Sequence, residues 1–388
     1  MALNRTYLDW NATAPLSAPA RAAMLEALQL PGNASSVHGE GRLSRAAVDK
    51  ARRQVAALVG ADPAHLTFTS GATEASNHVL TPEYRMGRSP VAIGALYVSA
   101  IEHPAIREGG RFDPVQVIEI PVTPTGIADL SALETLMAAH DHSLGLPMVG
   151  LMLVNNETGV IQPVAEAAEI VHRHRGLLVV DAVQAVGRIP VDITRLDADF
   201  MVISSHKIGG PKGVGALISR GEVLMPKPLI RGGGQEKGHR SGTENFHAIV
   251  GFGAAAAAMS EDLDDRNAGI GALRDRLEGE MRKAAADVMI HGADVPRVGN
   301  TCFFTLPGLK AETGQIAFDI EGIALSAGSA CSSGKVGESH VLTAMGRDPQ
   351  LGALRISLGP DTTDEDITRA VAAFAKIAAR RKAQGVAA

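Results

Sequence analysis

The sequence predicts an α/β protein in which a large region with a mostly parallel, doubly wound sheet precedes a smaller α+β region. Three observations carry this reading. Apolar runs alternate with helix-period segments up to about residue 250, and strands separated by helices imply right-handed crossovers and a parallel sheet. Near residue 260 the pattern changes to an alanine-rich and then charged helical stretch, followed by strand, helix, strand and helix. Several predicted strands also end in polar or glycine-bearing clusters, where doubly wound sheets hold ligands.

Each element has a local reason. Residues 21–30 read as a helix stopped by Pro31-Gly32. Residues 44–59 place Val48, Ala51, Val55 and Leu58 on one helical face, with Gly60 after them as a cap. A short strand, 66–69, is followed by a helix after Gly71. Residues 149–154 form a buried strand by their continuous apolar run, and 164–175 a helix ended by Gly176. Strands are predicted at 177–180 and 200–204. Residues 245–282 are expected to form one long connecting helix, and the run Ala254 to Ala258 a close-packed part of it. The smaller region then has a strand (301–306), a helix (313–321), a glycine-serine loop, a strand (354–358) and an amphipathic helix (363–381).

Composition bounds the function. A chain of 388 residues fits two or three domains. With 45% hydrophobic and 20% charged residues it is globular, not disordered. A net charge of -5, no basic stripe and 3% aromatic residues argue against nucleic acid as a partner. Two cysteines, Cys302 and Cys331, exclude a disulfide framework and a four-cysteine zinc site, and fit a reducing compartment. Residues 1–17 lack the apolar core of a signal peptide, and the apolar runs 146–154 and 249–259 are too short to span a membrane. A cytoplasmic enzyme with no membrane partner is expected.

The strand tips carry the candidate chemistry. After 66–69 comes Ser70-Gly71-Ala72-Thr73-Glu74, a turn into a helix that reads either as a plain cap or as a phosphate site. After 149–154 comes Asn155-Asn156-Glu157-Thr158-Gly159, which alone could be only a turn. Asp181-Ala182-Val183-Gln184 follows the next strand, and its acid reads as an N-cap or a functional charge. Ser205-His206-Lys207 follows the strand after that and leads into a glycine-rich turn, and the lysine alone is as consistent with a solvated charge as with a role. The set is more specific than its members. Pyridoxal phosphate needs a Schiff-base lysine, an acid for its ring nitrogen and a phosphate cup, and Gln184 or Asn156 could reach the ring oxygen without adding charge. Other motifs fall away. Gly334-Lys335 is not a Walker A, since Ser329 and Val336 stand at its first and last required positions. The pairs His140/His142 and His172/His174 do not share a helix face, so no metal is expected.

Here the sequence resembles the cysteine desulfurases, within the class V aminotransferase group of fold-type I pyridoxal phosphate enzymes. Matching stretches run in order along nearly the whole chain: Tyr7 to Thr13, Gly32 to His38, Thr69 to Glu74, Glu102-His103, Asn155 to Gly159, Asp181 to Gln184, Ser204 to Gly215, Gly232 to Glu236, Arg240 to Thr243, Ser329-Ala330-Cys331 and Leu354 to Gly359. The resemblance implies a large cofactor-binding domain over 15–255. It implies a small domain from 1–14 and 256–388 that includes the active-site cysteine loop. Lys207 is implied as the Schiff-base lysine, Asp181 as the ring-nitrogen partner, and His103 as the residue stacked on the ring and a proton shuttle. Gln184 and Asn156 are implied near the ring oxygen, with Asn156 also touching substrate. Ala72, Thr73, Ser204 and His206 are implied around the phosphate. Thr243 is implied to reach the phosphate of a neighbouring subunit, hence a homodimer with shared sites. Arg355 is implied as the clamp on the substrate carboxylate, assisted by Asn33.

Cys302 sits in an apolar strand and reads as core packing. Cys331 sits among small residues and glycines, which predicts an exposed, mobile loop, and Lys335 nearby favours its thiolate. The resemblance implies that Cys331 attacks the sulfur of L-cysteine, leaving L-alanine and a persulfide for an acceptor such as an iron–sulfur scaffold or a tRNA-modifying protein. The long polar stretch after Cys331 is similar to the family branch with the longer cysteine loop. A selenocysteine lyase, or another class V lyase or aminotransferase, is the alternative. Departures are mild: Ala14 stands where a second Thr is frequent, Trp10 is bulkier than usual, and Ser205 replaces Gly or Ala. The end, 380–388, is shorter than the tails of housekeeping members, which bears on scaffold docking.

Overall fold

The computed structural model describes residues 5–328 and 338–385. Cys331 and Lys335, with the predicted loop around them, lie outside the described residues. In chain order the strands are β1 (Thr6–Tyr7), β2 (Leu66–Thr69), β3 (Glu83–Met86), β4 (Ser89–Ser99), β5 (Val117–Ile120), β6 (Leu146–Met152), β7 (Leu177–Asp181), β8 (Phe200–Ser204), β9 (Gly215–Ser219), β10 (Leu224–Pro226), β11 (Met289–Ile290), β12 (Thr301–Thr305), β13 (Ile323–Ala324), β14 (Ser326–Ala327) and β15 (Leu354–Ser357). The helices are α1 (Ala18–Ala27), α2 (Gly39–Leu58), α3 (Ala72–Val79), α4 (Pro104–Arg107), α5 (Leu130–Ala138), α6 (Val164–Arg173), α7 (Phe246–Ser260), α8 (Leu263–Ala284), α9 (Ala311–Ile320), α10 (His340–Ala344) and α11 (Asp364–Gly385).

The large sheet has the order β10-β3-β4-β6-β7-β8-β9-β2, with β5 also on β4. Its centre is parallel, as the alternation predicts: β4 pairs in parallel with β5 and β6, β6 with β7, and β7 with β8. Antiparallel pairs extend both ends, two of them hairpins (β3–β4 and β8–β9), so the whole sheet is mixed. The reason is connection length. Between β8 and β9 the chain has only residues 205–214, with Gly209 and Gly213 at positive φ. A parallel crossover needs a dozen or more residues, so the chain turns back.

The central strands are buried on both faces, and their side chains alternate between two cores. Val180, Met201 and Ile203 pack with Val48, Val55 and Phe252 on one face. Val179, Phe200 and Val202 pack with Val79, Tyr84 and Leu96 on the other. A separate core of Leu8, Cys302, Phe304, Phe318 and Phe374 lies on the antiparallel sheet β11-β12-β15-β14. The N-terminal β1 belongs with this second region, pairing in parallel with β13.

The predicted single connecting helix is broken. The chain leaves the α-helix after Ser260 and re-enters at Leu263, with Asp262 left-handed at φ 48. Aspartate tolerates that conformation better than most residues. Arg266 stabilises the break by donating to the carbonyls of Met259 and Glu261 at 2.7 and 2.6 Å, which the end of α7 would leave unbonded. Among the described residues no helix is long and apolar enough to cross a membrane.

Candidate active site

The carboxyl ends of the parallel strands, the turn after β2 and the chain at 12–13 converge on a cavity of about 520 Å³. Its wall includes Thr73, His103, Asn156, Asp181, Gln184 and Lys207.

Lys207 sits in a single 3-10 turn directly after β8. Its Nζ donates to the carbonyls of Asn11 at 2.6 Å and Ala12 at 2.9 Å. Asp181 is the last residue of β7, almost fully buried, and its Oδ1 accepts from the Val183 N–H at 2.9 Å. Burial pushes its carboxyl above the usual range, opposed by that hydrogen bond and by His103 and Lys207. A cation beside this carboxylate is therefore strongly favoured. His103 caps α4, its Nδ1 accepting from the Ala105 N–H at 3.1 Å. Burial pulls its pKa below the ordinary value; Asp181 opposes this and Lys207 adds to it. The ring is thus neutral near pH 7, with its proton on Nε2, an assignment made from the Ala105 bond.

Asn155 shapes the turn after β6: its Oδ1 accepts from Glu157 N–H, Thr158 N–H and the Thr158 hydroxyl. Asn156 is thereby aimed at the cavity. Gln184 donates from Nε2 to the Asn11 carbonyl at 3.0 Å, and its buried Oε1 has no partner among the described residues. A buried amide oxygen without a donor is costly, and a ligand donor there would relieve it.

The other end of the cavity is a cup for an anion. It is formed by Ser70 to Thr73 at the start of α3, with Ser204, His206, Lys212 and Gly213. The first N–H groups of α3 have no helical partner and point outward. Gly215 is held against this turn so closely that a Cβ there would lie 2.7 Å from the Gly71 carbonyl carbon and 2.7 Å from the Ile203 oxygen. That contact brings the turn after the edge strand β2 beside the lysine turn after β8. His206 touches Thr13 Oγ1 at 3.2 Å, and burial with Lys207 and Lys212 pulls its pKa down to about 4, so it is neutral here.

Three sequence-predicted residues stand apart. Arg355, on β15, is fully buried behind the wall, donating to the Asn156 carbonyl at 2.9 Å and to Asp9 Oδ1 at 3.0 Å. Ser326, its register partner, reaches the wall and donates to the same Asp9 oxygen at 2.8 Å. Asn33 is exposed outside the cavity, its Oδ1 accepting from Ser35 N–H. Thr243 is exposed and lines a neighbouring groove that shares Ser70 and Gly213 with the cavity. Sequence reasoning missed the Asn11 and Ala12 carbonyls, Lys212 and Ser326. Backbone acceptors leave no trace in residue type, and Lys212 read as part of the glycine turn. Cys302 is fully buried, and burial raises its thiol pKa well above the ordinary value, so it is inert packing. Among the described residues no cluster could hold a metal ion.

An amine, a buried carboxylate, an unpaired amide oxygen and an anion cup around one cavity match the donor set of pyridoxal phosphate. The fold and the pocket therefore define a pyridoxal phosphate enzyme. Comparison with known proteins agrees. The family "Aminotransferase class-V" matches residues 6–370. A cysteine desulfurase of Sinorhizobium fredii is 40% identical over 375 residues, covering 94% of each chain. The solved structure of a NifS-like protein from Rickettsia africae superposes with a TM-score of 0.86 at 34% identity, over 96% of this chain and 99% of that one. A structure described as "SspA in complex with cysteine" has a TM-score of 0.74 at 26% identity, over 92% of this chain and 100% of that one. The chain belongs to the class-V aminotransferase family of pyridoxal phosphate enzymes, among its cysteine desulfurases.

Proposed function

We propose that this enzyme converts L-cysteine to L-alanine and carries the released sulfur as a persulfide on Cys331 to a thiol-bearing acceptor protein, for iron–sulfur cluster assembly or tRNA thiolation. The observation that carries the proposal is the place of β14. Ser326 on this strand lines the cavity that holds Lys207 and Asp181, and Cys331 follows it five residues later in the sequence.

Lys207 would hold the cofactor through Nζ, Asp181 would keep its ring nitrogen protonated, and the α3 N–H groups with Thr73, Ser204 and His206 would hold its phosphate. Bound there, pyridoxal phosphate supplies an electron sink that acidifies the substrate Cα and assists C–S cleavage. Lys207 takes the substrate Cα proton at Nζ and returns a proton to Cα once sulfur has left, with the Asn11 and Ala12 carbonyls to steady the ammonium. His103 presents Nε2–H and orients the substrate sulfur by donating to it. Arg355 turns part of its fork from Asp9 to the substrate carboxylate. Cys331 attacks as a thiolate: an S–S bond forms, the Cβ–S bond breaks, and its electron pair goes to carbon, which gains a proton to become the methyl of alanine. No outside oxidant is needed, since sulfur is oxidised as carbon is reduced. Thr243, exposed on the groove beside the cavity, supports a homodimer in which it completes the partner's phosphate cup.

The test is incubation with L-cysteine, measuring alanine and sulfur on Cys331 together. Equal amounts are expected in a single turnover, and Cys331→Ala should keep the yellow cofactor while losing sulfide release. Full activity in that variant contradicts the nucleophile assignment.

A further inference from the structure

Both flanks of the segment 329–337 close on one buried carboxylate. Glu157 follows Asn156 in the turn after β6 and is 2% exposed. Its Oε2 accepts from the Ser339 hydroxyl at 2.6 Å, a short bond between two buried groups. The Ser339 oxygen in turn accepts from Leu342 N–H at 3.1 Å and caps α10. The same Oε2 lies beside Gly328, where a Cβ would sit 3.0 Å from it and 2.6 Å from the Phe303 ring. Only glycine fits there, and its N–H is fixed to the Ala353 carbonyl at 3.1 Å. A second tie holds the same helix: the His340 ring bonds at Nε2 to the Glu102 carbonyl at 2.9 Å, one residue before His103.

We propose that Glu157 is a positioning residue for the sulfur-transfer step, bonding Ser339 on one side of the segment that carries Cys331 and packing close to Gly328 on the other, so that both flanks are set against the turn that presents Asn156. The proposal rests on Cys331 being the sulfur acceptor. Three residues of chain span at most about 11 Å, so the place of Gly328 sets how far the thiol can be carried. A displacement of about 1 Å between reacting groups can cost on the order of a hundredfold in rate. The Asn156 carbonyl is also held by Arg355, so the carboxylate clamp and the thiol segment share one frame.

The experiment compares holoenzyme with Glu157→Ala, Ser339→Ala and the double variant. Two quantities are read: the absorbance change on titration with L-cysteine, and the single-turnover rate at which Cys331 gains the mass of one sulfur atom. Each single variant should titrate within about twofold of wild type but load Cys331 slower by on the order of tenfold. The double variant should be no slower than the slower single, because both changes cut the same bond. Wild-type loading rates in both single variants would overturn the proposal. So would a cysteine titration weakened as much as loading, which would place Glu157 in substrate binding. Wild-type enzyme that makes alanine with no sulfur on Cys331 would overturn the desulfurase route itself, whereas normal wild-type loading with unaffected variants removes the positioning role alone.

Discussion

Lys207 is held by two backbone carbonyls, and a second cation, Lys212, lines the same cavity. The two lysines make a sharp test. Lys207→Ala should abolish the visible absorbance of the purified enzyme, and an unchanged spectrum would move the cofactor linkage to Lys212. Lys207, Asp181 and Gln184 were legible because each follows an apolar strand, and strand tips face one end of a parallel sheet. Arg355 was legible only through the resemblance, as an implied clamp on a carboxylate. Its present partners were not, because Asp9 lies 346 residues away in sequence. Asn33 shows the opposite case: a matching stretch places the residue in order, while the fold leaves its side chain outside the cavity, bonded to its own loop.

Among elements, β2 and β8 match their predicted bounds because short runs of β-favouring and apolar residues end in Ser-Gly or Ser-His turns. The strand β4 was not legible. Gly94 and Pro90 interrupt its pattern, and its pairing with β3 depends on a turn at Gly87 with φ 59. The turn at 235–238 was equally silent, yet it locks three elements together. Glu236, left-handed at φ 47, accepts from Arg52 at 2.8 and 2.7 Å and from Phe68 N–H at 2.9 Å. The Arg52 guanidinium also lies 4.8 Å above the Phe68 ring. Removing one member of a buried ion pair strands the other, at a cost of about 3–5 kcal/mol. Glu236→Ala should therefore lower the midpoint of denaturant unfolding by that equivalent. A change below about 1 kcal/mol would mean the Arg52 site is solvated.

For the whole molecule, the fold class was legible because alternation and strand burial are global patterns, while the hairpin ends depend on local turn chemistry. The same burial sets a pH dependence. His78 and His291 are almost fully buried, and burial, their main cause, pulls both pKa values from 6.5 down to about 4. The folded state stays unprotonated where the unfolded chain takes up protons. Their contribution is thus complete above pH 6.5 and is lost as pH falls through that value toward 4, by up to about 3 kcal/mol each. Thermal melts should drop between pH 7 and pH 4.5, and His78→Leu should flatten the slope; a slope unchanged in that variant contradicts the assignment. The N-terminal segment carries a different consequence. Its partners include residues far along the chain: Thr6 pairs with Ile323, Asp9 with Arg355 and Ser357, and Asn11 with Asn300, Thr301 and Ser357. The carbonyls that hold Lys207 are therefore fixed by contacts of very long sequence separation, which close late in folding. A chain cut before residue 355 would own every strand of the large sheet and still lack Arg355 and Ser357, the residues that hold Asp9 and Asn11.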